Sequence, residues 1–240
     1  MILQIDIGNS RIKWRLRRQG RTLESGVGNH GDYQWLQGLV LQQVWVSSVV
    51  ALESESLQAA LAAYGLPRAR FASAQASAGG VVNGYQVPAT LGVDRWLALL
   101  GARQLSVGPA VVVDAGTALT VDLLGADGRH RGGYIAPGLT LMQQSLALKS
   151  QALAVNFERR GRVAPGDSSA TAIEAALVAM GRGLIETGRL SLSEYCPADP
   201  VLLLFTGGDG DFWQRVLAEG SSEPELLFIG LERYFTQGQG

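Results

Sequence analysis

The sequence predicts an α/β protein built from two duplicated lobes, on three observations. An apolar strand that closes on an acidic residue and runs straight into a Gly and hydroxyl turn occurs once in each half. Met1-Ile2-Leu3-Gln4-Ile5 leads into Asp6-Ile7-Gly8-Asn9-Ser10, and Ala110-Val111-Val112-Val113 leads into Asp114-Ala115-Gly116-Thr117. After each copy the same order of strand, strand, hairpin and helix recurs, a meander passing into alternating α and β. The 240 residues are 47% hydrophobic, ample for a large domain or two packed lobes.

The first strand covers residues 2–6. Arg11 to Arg18 follows as a second, because Ile12, Trp14 and Leu16 alternate with polar residues in the period of a strand with one solvated face. Gln19-Gly20 turns the chain into a third strand. Residues 32–42 are expected as a short helix, Val44 to Ser48 as a strand, and Glu53 to Tyr64 as a helix stopped by Gly65. The stretch 72–88, rich in Ala, Gly and Ser and without a period, reads as a loop and a candidate lid. A helix starts near Gly92-Val93-Asp94-Arg95, with Val93, Trp96, Leu97 and Leu100 on one apolar face. It ends before Gly108-Pro109, which divides the chain into lobes 1–108 and 109–240.

The second lobe repeats the pattern: a strand at 110–114, another at 119–124, a turn at Ala126-Asp127-Gly128 and a strand through Tyr134-Ile135. Pro137-Gly138 opens a helix, as Pro does at first helical positions. A long helix follows from Ser168 to about Glu186, with small residues that permit close helix packing. Val201 to Phe205 is an apolar strand ending in Thr206-Gly207-Gly208-Asp209, a third strand-to-Gly turn. After Pro224 a strand through Phe228 and a short helix from Gly230 complete the expectation.

Composition narrows the chemistry. One cysteine, Cys196, excludes a disulfide framework or thiolate metal cluster within the chain. Two histidines, His30 and His130, are poor material for a multi-histidine metal site or a Ser-His-Asp triad, which leaves the work to carboxylates. The net charge of −1 disfavours nucleic-acid binding. No stretch reaches the roughly 18 apolar residues of a spanning helix, and the N-terminus has no leader pattern, so a soluble cytoplasmic protein with no membrane partner is expected. A strand-end carboxylate followed by Gly suits phosphate binding: the strand holds the acid rigidly, and Gly lets the backbone approach a phosphate whose oxygens the hydroxyl and N–H groups meet.

Taken as an ordered set, Asp6-Ile7-Gly8-Asn9-Ser10, Gly92-Val93-Asp94-Arg95, Asp114-Ala115-Gly116-Thr117, Gly132 to Gly138, Thr206 to Asp209 and Gly230-Leu231 resemble the acetate and sugar kinase, Hsp70 and actin superfamily. Within it they resemble the type III pantothenate kinases. The resemblance implies two ribonuclease-H-like lobes with an interlobe cleft. It also implies ATP-dependent phosphorylation of pantothenate to 4'-phosphopantothenate at the start of coenzyme A synthesis, a homodimer, magnesium, and a monovalent cation such as potassium or ammonium.

Under that resemblance each motif acquires a task. Asp6 holds hydrated magnesium; the stretch Ile7, Gly8, Asn9, Ser10, Arg11, Ile12 and Lys13 surrounds the ATP phosphates, Lys13 either adding charge or standing on the solvated face. Thr117 contacts the nucleotide phosphates and Asp114 the monovalent cation. Asp94 is the general base toward the pantothenate hydroxyl, orienting it first and accepting its proton late, a role compatible with capping a helix. Gly92, Val93, Arg95 and Tyr85 line the pantothenate side. Arg95 pairs with its carboxylate or stabilises the transferring phosphoryl group. A hydroxyl at the start of the long helix reaches pantothenate in the partner subunit: Ser169 matches by register, Thr171 by residue type. Ser10 replaces the Thr common in the family and keeps the hydroxyl. Two alternatives stay open, another small-molecule kinase of the superfamily and a nucleotide-responsive regulator without turnover.

Overall fold

The computed structural model describes residues 1–149, 153–154 and 159–237. It separates into two compact units, Met1–Gln104 with Leu227–Gly240, and Leu105–Leu226. The expected division at 108 lies close to the first break, but the tail of the expected second lobe returns to the first unit.

In the first unit β1 (Ile2–Ile7), β2 (Ile12–Arg18), β3 (Arg21–Gly28), β4 (Gln43–Ser48) and β5 (Ala69–Phe71) form one sheet in the order β3-β2-β1-β4-β5. β2 runs antiparallel to its neighbours, whereas β4 and β5 run parallel to β1. Leu3, Ile5 and Ile7 of β1 point to one face, as the two-residue period of a strand requires. There they meet Ile12, Leu16, Val44, Val46 and the Leu57 and Leu61 pair of α1 (Ala51–Ala63) in a closed core. Each such side chain contributes about 1.5–3 kcal/mol on burial.

The opposite face of β1 and β2 is polar but not solvated, a correction to the alternation reading. Arg15 is only 4% exposed and donates from Nε to Gln4 Oε1 at 2.5 Å. Arg15 and Arg17 both pair with Glu232 of α6 (Leu226–Thr236), at 3.4 and 2.9 Å, and the Arg15 guanidinium lies over the Phe228 ring. Sequence alternation identifies which residues share a face; it carries no information about a helix arriving more than 200 residues later.

The second unit repeats the topology strand for strand. β8 (Ala110–Ala115), β9 (Ala118–Leu124), β10 (His130–Pro137), β11 (Leu202–Thr206) and β12 (Ser221–Ser222) take the order β10-β9-β8-β11-β12, again with only the second strand reversed. Its core joins Val111, Val113, Val121, Leu123, Leu203 and Phe205 to Leu177, Val178, Ile185 and Leu192 of α4 (Ser169–Tyr195) and to Phe212 and Trp213 of α5 (Gly210–Leu217). Gly181 lets α4 close onto α5, since a Cβ there would stand 2.2 Å from the Trp213 ring. The small pair β6 (Ser77–Ala78) and β7 (Val81–Val82), with α2 (Val93–Leu105) and α3 (Leu139–Lys149), completes the elements used below.

Several expected elements differ. Residues 32–42 hold only a 3-10 turn at Gln34–Leu36, because Gly31 and Gly38, both in the left-handed region, leave too little chain for a helix. Leu226 to Phe228 begins α6 instead of forming a strand: Phe228, Leu231 and Phe235 are buried at helical spacing. The strand of this region is β12, upstream. α4 runs on to Tyr195, past Glu186. Residues 72–88 hold the β6/β7 hairpin and are fastened at several points: Gly79 N donates to Gln237 Oε1, and Gln75 Nε2 to the Tyr234 hydroxyl.

Candidate functional site

The expected site residues fall into three groups. The first surrounds the turn after β1. Asp6 is half-buried at the strand end, opposite Lys13 on β2 and beside Ser47 on β4, so the three side chains share one sheet face. Gly8 N donates to Arg11 O at 3.2 Å, His30 Nε2 donates to Gly8 O at 2.9 Å, and Val49 N donates to Ile7 O at 3.2 Å. Asn9, Ser10 and Arg11 stand exposed on this anchored turn, whereas the Ile7 and Ile12 side chains lie fully in the core. Those two act at the turn through backbone alone.

The second group sits at the N-terminus of α2. Gly92 O accepts the first helical bond, from Trp96 N, at 2.9 Å. Asp94 lies in the first turn, where the helix dipole favours a negative charge, and its Oδ1 accepts from Arg95 N at 2.8 Å. Gly92 makes room for that carboxylate: a Cβ there would come within 2.5 Å of Asp94 Oδ1. Val93 opens the helix, half-buried. Arg95 is only 5% exposed, and its Nη1 donates to the Tyr85 hydroxyl at 2.7 Å, with the guanidinium 5.6 Å from the ring centroid. Tyr85 and Arg95 therefore form one unit, an aromatic wall joined to a cation.

The third group belongs to the second unit. Asp114 occupies on β8 the place Asp6 holds on β1, beside Thr206 of β11 where Asp6 has Ser47, and opposite Thr120 where Asp6 has Lys13. The turn is closed by Gly116 N donating to Ala118 O at 2.8 Å, and Thr117 is exposed on it. Two glycines clamp it. Gly138 N donates to Thr117 O at 2.9 Å, and a Cβ on Gly138 would lie 2.1 Å from Gly116 O. Gly207, at φ +83°, faces Asp114 Oδ1 and Ala115 O, each 2.4 Å from where a Cβ would stand. Asp209 N donates to Ala115 O at 2.9 Å, and Arg159 links the Asp209 carboxylate to the Thr140 hydroxyl. The Thr206 to Asp209 motif is thus wound against the Asp114 turn itself.

Oxygen donors fit the implied cations. The Asp114 carboxylate and the Ala115 carbonyl pack directly against Gly207, where any side chain would clash, and oxygen is the ligand type for a hard cation. Asp6 offers a single carboxylate, as suits a magnesium ion that keeps its waters and takes phosphate oxygens as its other ligands. Among the described residues no three His, Cys, Asp or Glu side chains gather as a metal cage.

At the start of α4, Ser168 is the N-cap in a reciprocal box with Thr171. The Thr171 hydroxyl accepts from Asp167 N and Ser168 N, both at 3.1 Å, and donates to Asp167 Oδ1. The Ser169 hydroxyl, exposed at the first helical position, makes no hydrogen bond among the described residues. Sequence reasoning missed Ser47 and His30. The signal for Ser47 was present: a strand ending in a hydroxyl residue follows each acidic strand, Ser47 in one half and Thr206 in the other. His30 carried no comparable signal, since a loop residue reaches Gly8 only through the fold.

The model of the type III pantothenate kinase family matches residues 2–188. Type III pantothenate kinases of Cellvibrio japonicus and Azoarcus sp. are 37% and 39% identical to the chain, covering 98% and 96% of it and 97% and 89% of their own lengths. Among solved structures, a protein assigned to the Baf family of transcriptional activators from Campylobacter jejuni superposes with a TM-score of 0.64 at 19% identity, covering 99% of this chain and 98% of its own. A protein assigned as a 2-dehydro-3-deoxygalactonokinase from Sinorhizobium meliloti gives 0.63 at 15% identity, with 98% of both chains covered. At such identities these two show the fold alone. With a family match over most of its length and relatives nearly collinear with it, the chain belongs to the type III pantothenate kinase family.

Proposed function

We propose that this protein transfers the γ-phosphoryl group of ATP to the hydroxyl of pantothenate, giving 4'-phosphopantothenate, the first step of coenzyme A biosynthesis, in the cytoplasm. The observation that carries the reading is the family match together with near-complete coverage of curated relatives. Among the described residues no helix is long and apolar enough to cross a membrane.

Phosphoryl transfer asks a protein mainly to position its reactants and neutralise charge. The Gly8 to Ser10 turn presents backbone N–H groups and a hydroxyl to phosphate oxygens, held in place by the bonds of Gly8 to Arg11 and His30. Lys13, on the same sheet face as Asp6, adds positive charge. Thr117, exposed on the duplicated turn, is assigned a contact with nucleotide phosphates. Magnesium, when bound, supplies charge neutralisation at the transferring phosphoryl group, with Asp6 as its protein ligand. Asp114 would hold a monovalent cation, potassium or ammonium, through its carboxylate, adding positive charge near the phosphates.

Asp94 aligns the pantothenate hydroxyl and receives its proton as the bond to phosphorus forms. Arg95 and Tyr85, already joined, hold the substrate's carboxylate and chain. The protein acts as a homodimer. Supporting this, α4 leaves Ala172, Ala176, Met180, Gly183 and Leu190 exposed, a run of small and apolar residues fit for close contact with a second copy. Because the Thr171 hydroxyl is engaged in capping, Ser169 is the residue we assign to reach the partner's pantothenate. ADP release tests the whole reading: it should depend on pantothenate and potassium, and not on hexoses, acetate or glycerol. Turnover with one of those acceptors but not with pantothenate would reject it.

A further inference from the structure

We infer that Asn83 is a positioning residue for the acceptor site, a fastener that holds Tyr85 against Arg95; the inference rests on the pantothenate-side reading of those two residues. Asn83 is 8% exposed and makes four hydrogen bonds. Its backbone N donates to Ala76 O at 2.9 Å. Its Nδ2 donates to Gln75 O and to Pro88 O, both at 3.1 Å, and its Oδ1 accepts from Tyr85 N at 3.0 Å. The amide orientation is dictated by these neighbours, because two carbonyls require the N–H2 end and an N–H requires the oxygen.

One side chain thus ties the two ends of the segment 75–88 together and fixes the backbone of the residue whose hydroxyl meets Arg95. From Tyr85 the chain of contacts runs to Arg95 Nη1 at 2.7 Å, and from Arg95 N to Asp94 Oδ1 at 2.8 Å. No other natural side chain of this size offers two donors and an acceptor in this geometry. An isosteric carboxylate turns oxygen toward both carbonyls and loses both bonds. The segment is accordingly a pinned wall of the acceptor site, which explains how an otherwise aperiodic stretch of Ala, Gly and Ser can carry a substrate-contacting aromatic.

The test compares Asn83→Asp and Asn83→Ser with Tyr85→Phe and Arg95→Lys in the full-length enzyme, measuring KM for pantothenate, KM for ATP, kcat and Tm. Hydrogen exchange at the Tyr85 amide provides a reading independent of turnover. Asn83→Asp is expected to raise KM for pantothenate by roughly tenfold or more while KM for ATP stays within about twofold, as loss of buried hydrogen bonds at one subsite predicts. The Tyr85 amide should exchange faster. Asn83→Ser, which keeps one donor, should fall between this variant and the wild type, and serves if the carboxylate prevents folding. A pantothenate KM near wild type in both variants, with Arg95→Lys still raising it, overturns the positioning role alone; so does an equal rise in both KM values. If Tyr85→Phe and Arg95→Lys also leave pantothenate KM unchanged, the acceptor-site reading fails with it.

Discussion

At the scale of single residues, the proposed site is built from carboxylates placed by backbone and packed against glycine. Replacing Asp94 with Asn keeps shape and removes the proposed proton acceptor, so kcat should fall by roughly two to four orders of magnitude with both substrates still binding, read by steady-state kinetics and calorimetry. Gly92→Ala probes the same carboxylate from its neighbour. A methyl group 2.5 Å from Asp94 Oδ1 must turn the acid aside without touching the core. We expect a loss of about tenfold to a hundredfold in kcat with Tm nearly unchanged. Tyr33 gives a prediction away from the site. Burial, then the adjoining Glu53 carboxylate, pushes its phenol well above the usual tyrosine range, and its hydroxyl donates to Glu53 Oε2 at 2.7 Å. The unfolded chain releases this proton near pH 10 and the folded chain does not, so the stabilisation is intact at neutral pH and is lost as pH rises above about 10. Urea midpoints between about pH 9 and 11 should therefore fall more steeply for wild type than for Tyr33→Phe.

At the scale of elements, the start of α4 separates structural hydroxyls from one that is available. Ser168→Ala removes an N-cap and should cost about 1 kcal/mol in unfolding free energy with little change in KM. Ser169→Ala should do the reverse, leaving Tm in place and raising KM for pantothenate. The strands β1 and β8 were legible because an apolar run closing on Asp and Gly is a local pattern. The β2 alternation likewise identified which residues share a face, but not that α6 covers the polar one. The expected helix at 32–42 failed for a local reason, two glycines in the left-handed region. Leu226 to Phe228 was ambiguous because a short apolar run reads equally as strand or helix until its length and burial are known.

At the scale of the molecule, duplication is the organising fact. Two sheets with the same strand order place Asp6 and Asp114 at the same point, each with a hydroxyl residue on the neighbouring parallel strand. The proposed dimer belongs to this scale too. Met180 is 61% exposed in the middle of the α4 stripe, and Met180→Glu would put charges into a close contact between copies. Light scattering should then report a monomer, with activity lost in proportion to the pantothenate contact from Ser169; an unchanged dimer would show that α4 is not the interface.

The sequence by itself determined the duplication, the two acidic turns, the Gly92 to Arg95 helix start and the family, because each is written in contiguous residues whose local geometry follows from residue type. Only the tertiary structure decided that Arg15 is buried beneath α6, that His30 holds Gly8, that Asn83 fastens Tyr85, and that Gly138 and Gly207 clamp the second turn. These contacts join segments far apart in the chain, and their partners are selected by packing, which leaves no periodic or local mark in the sequence.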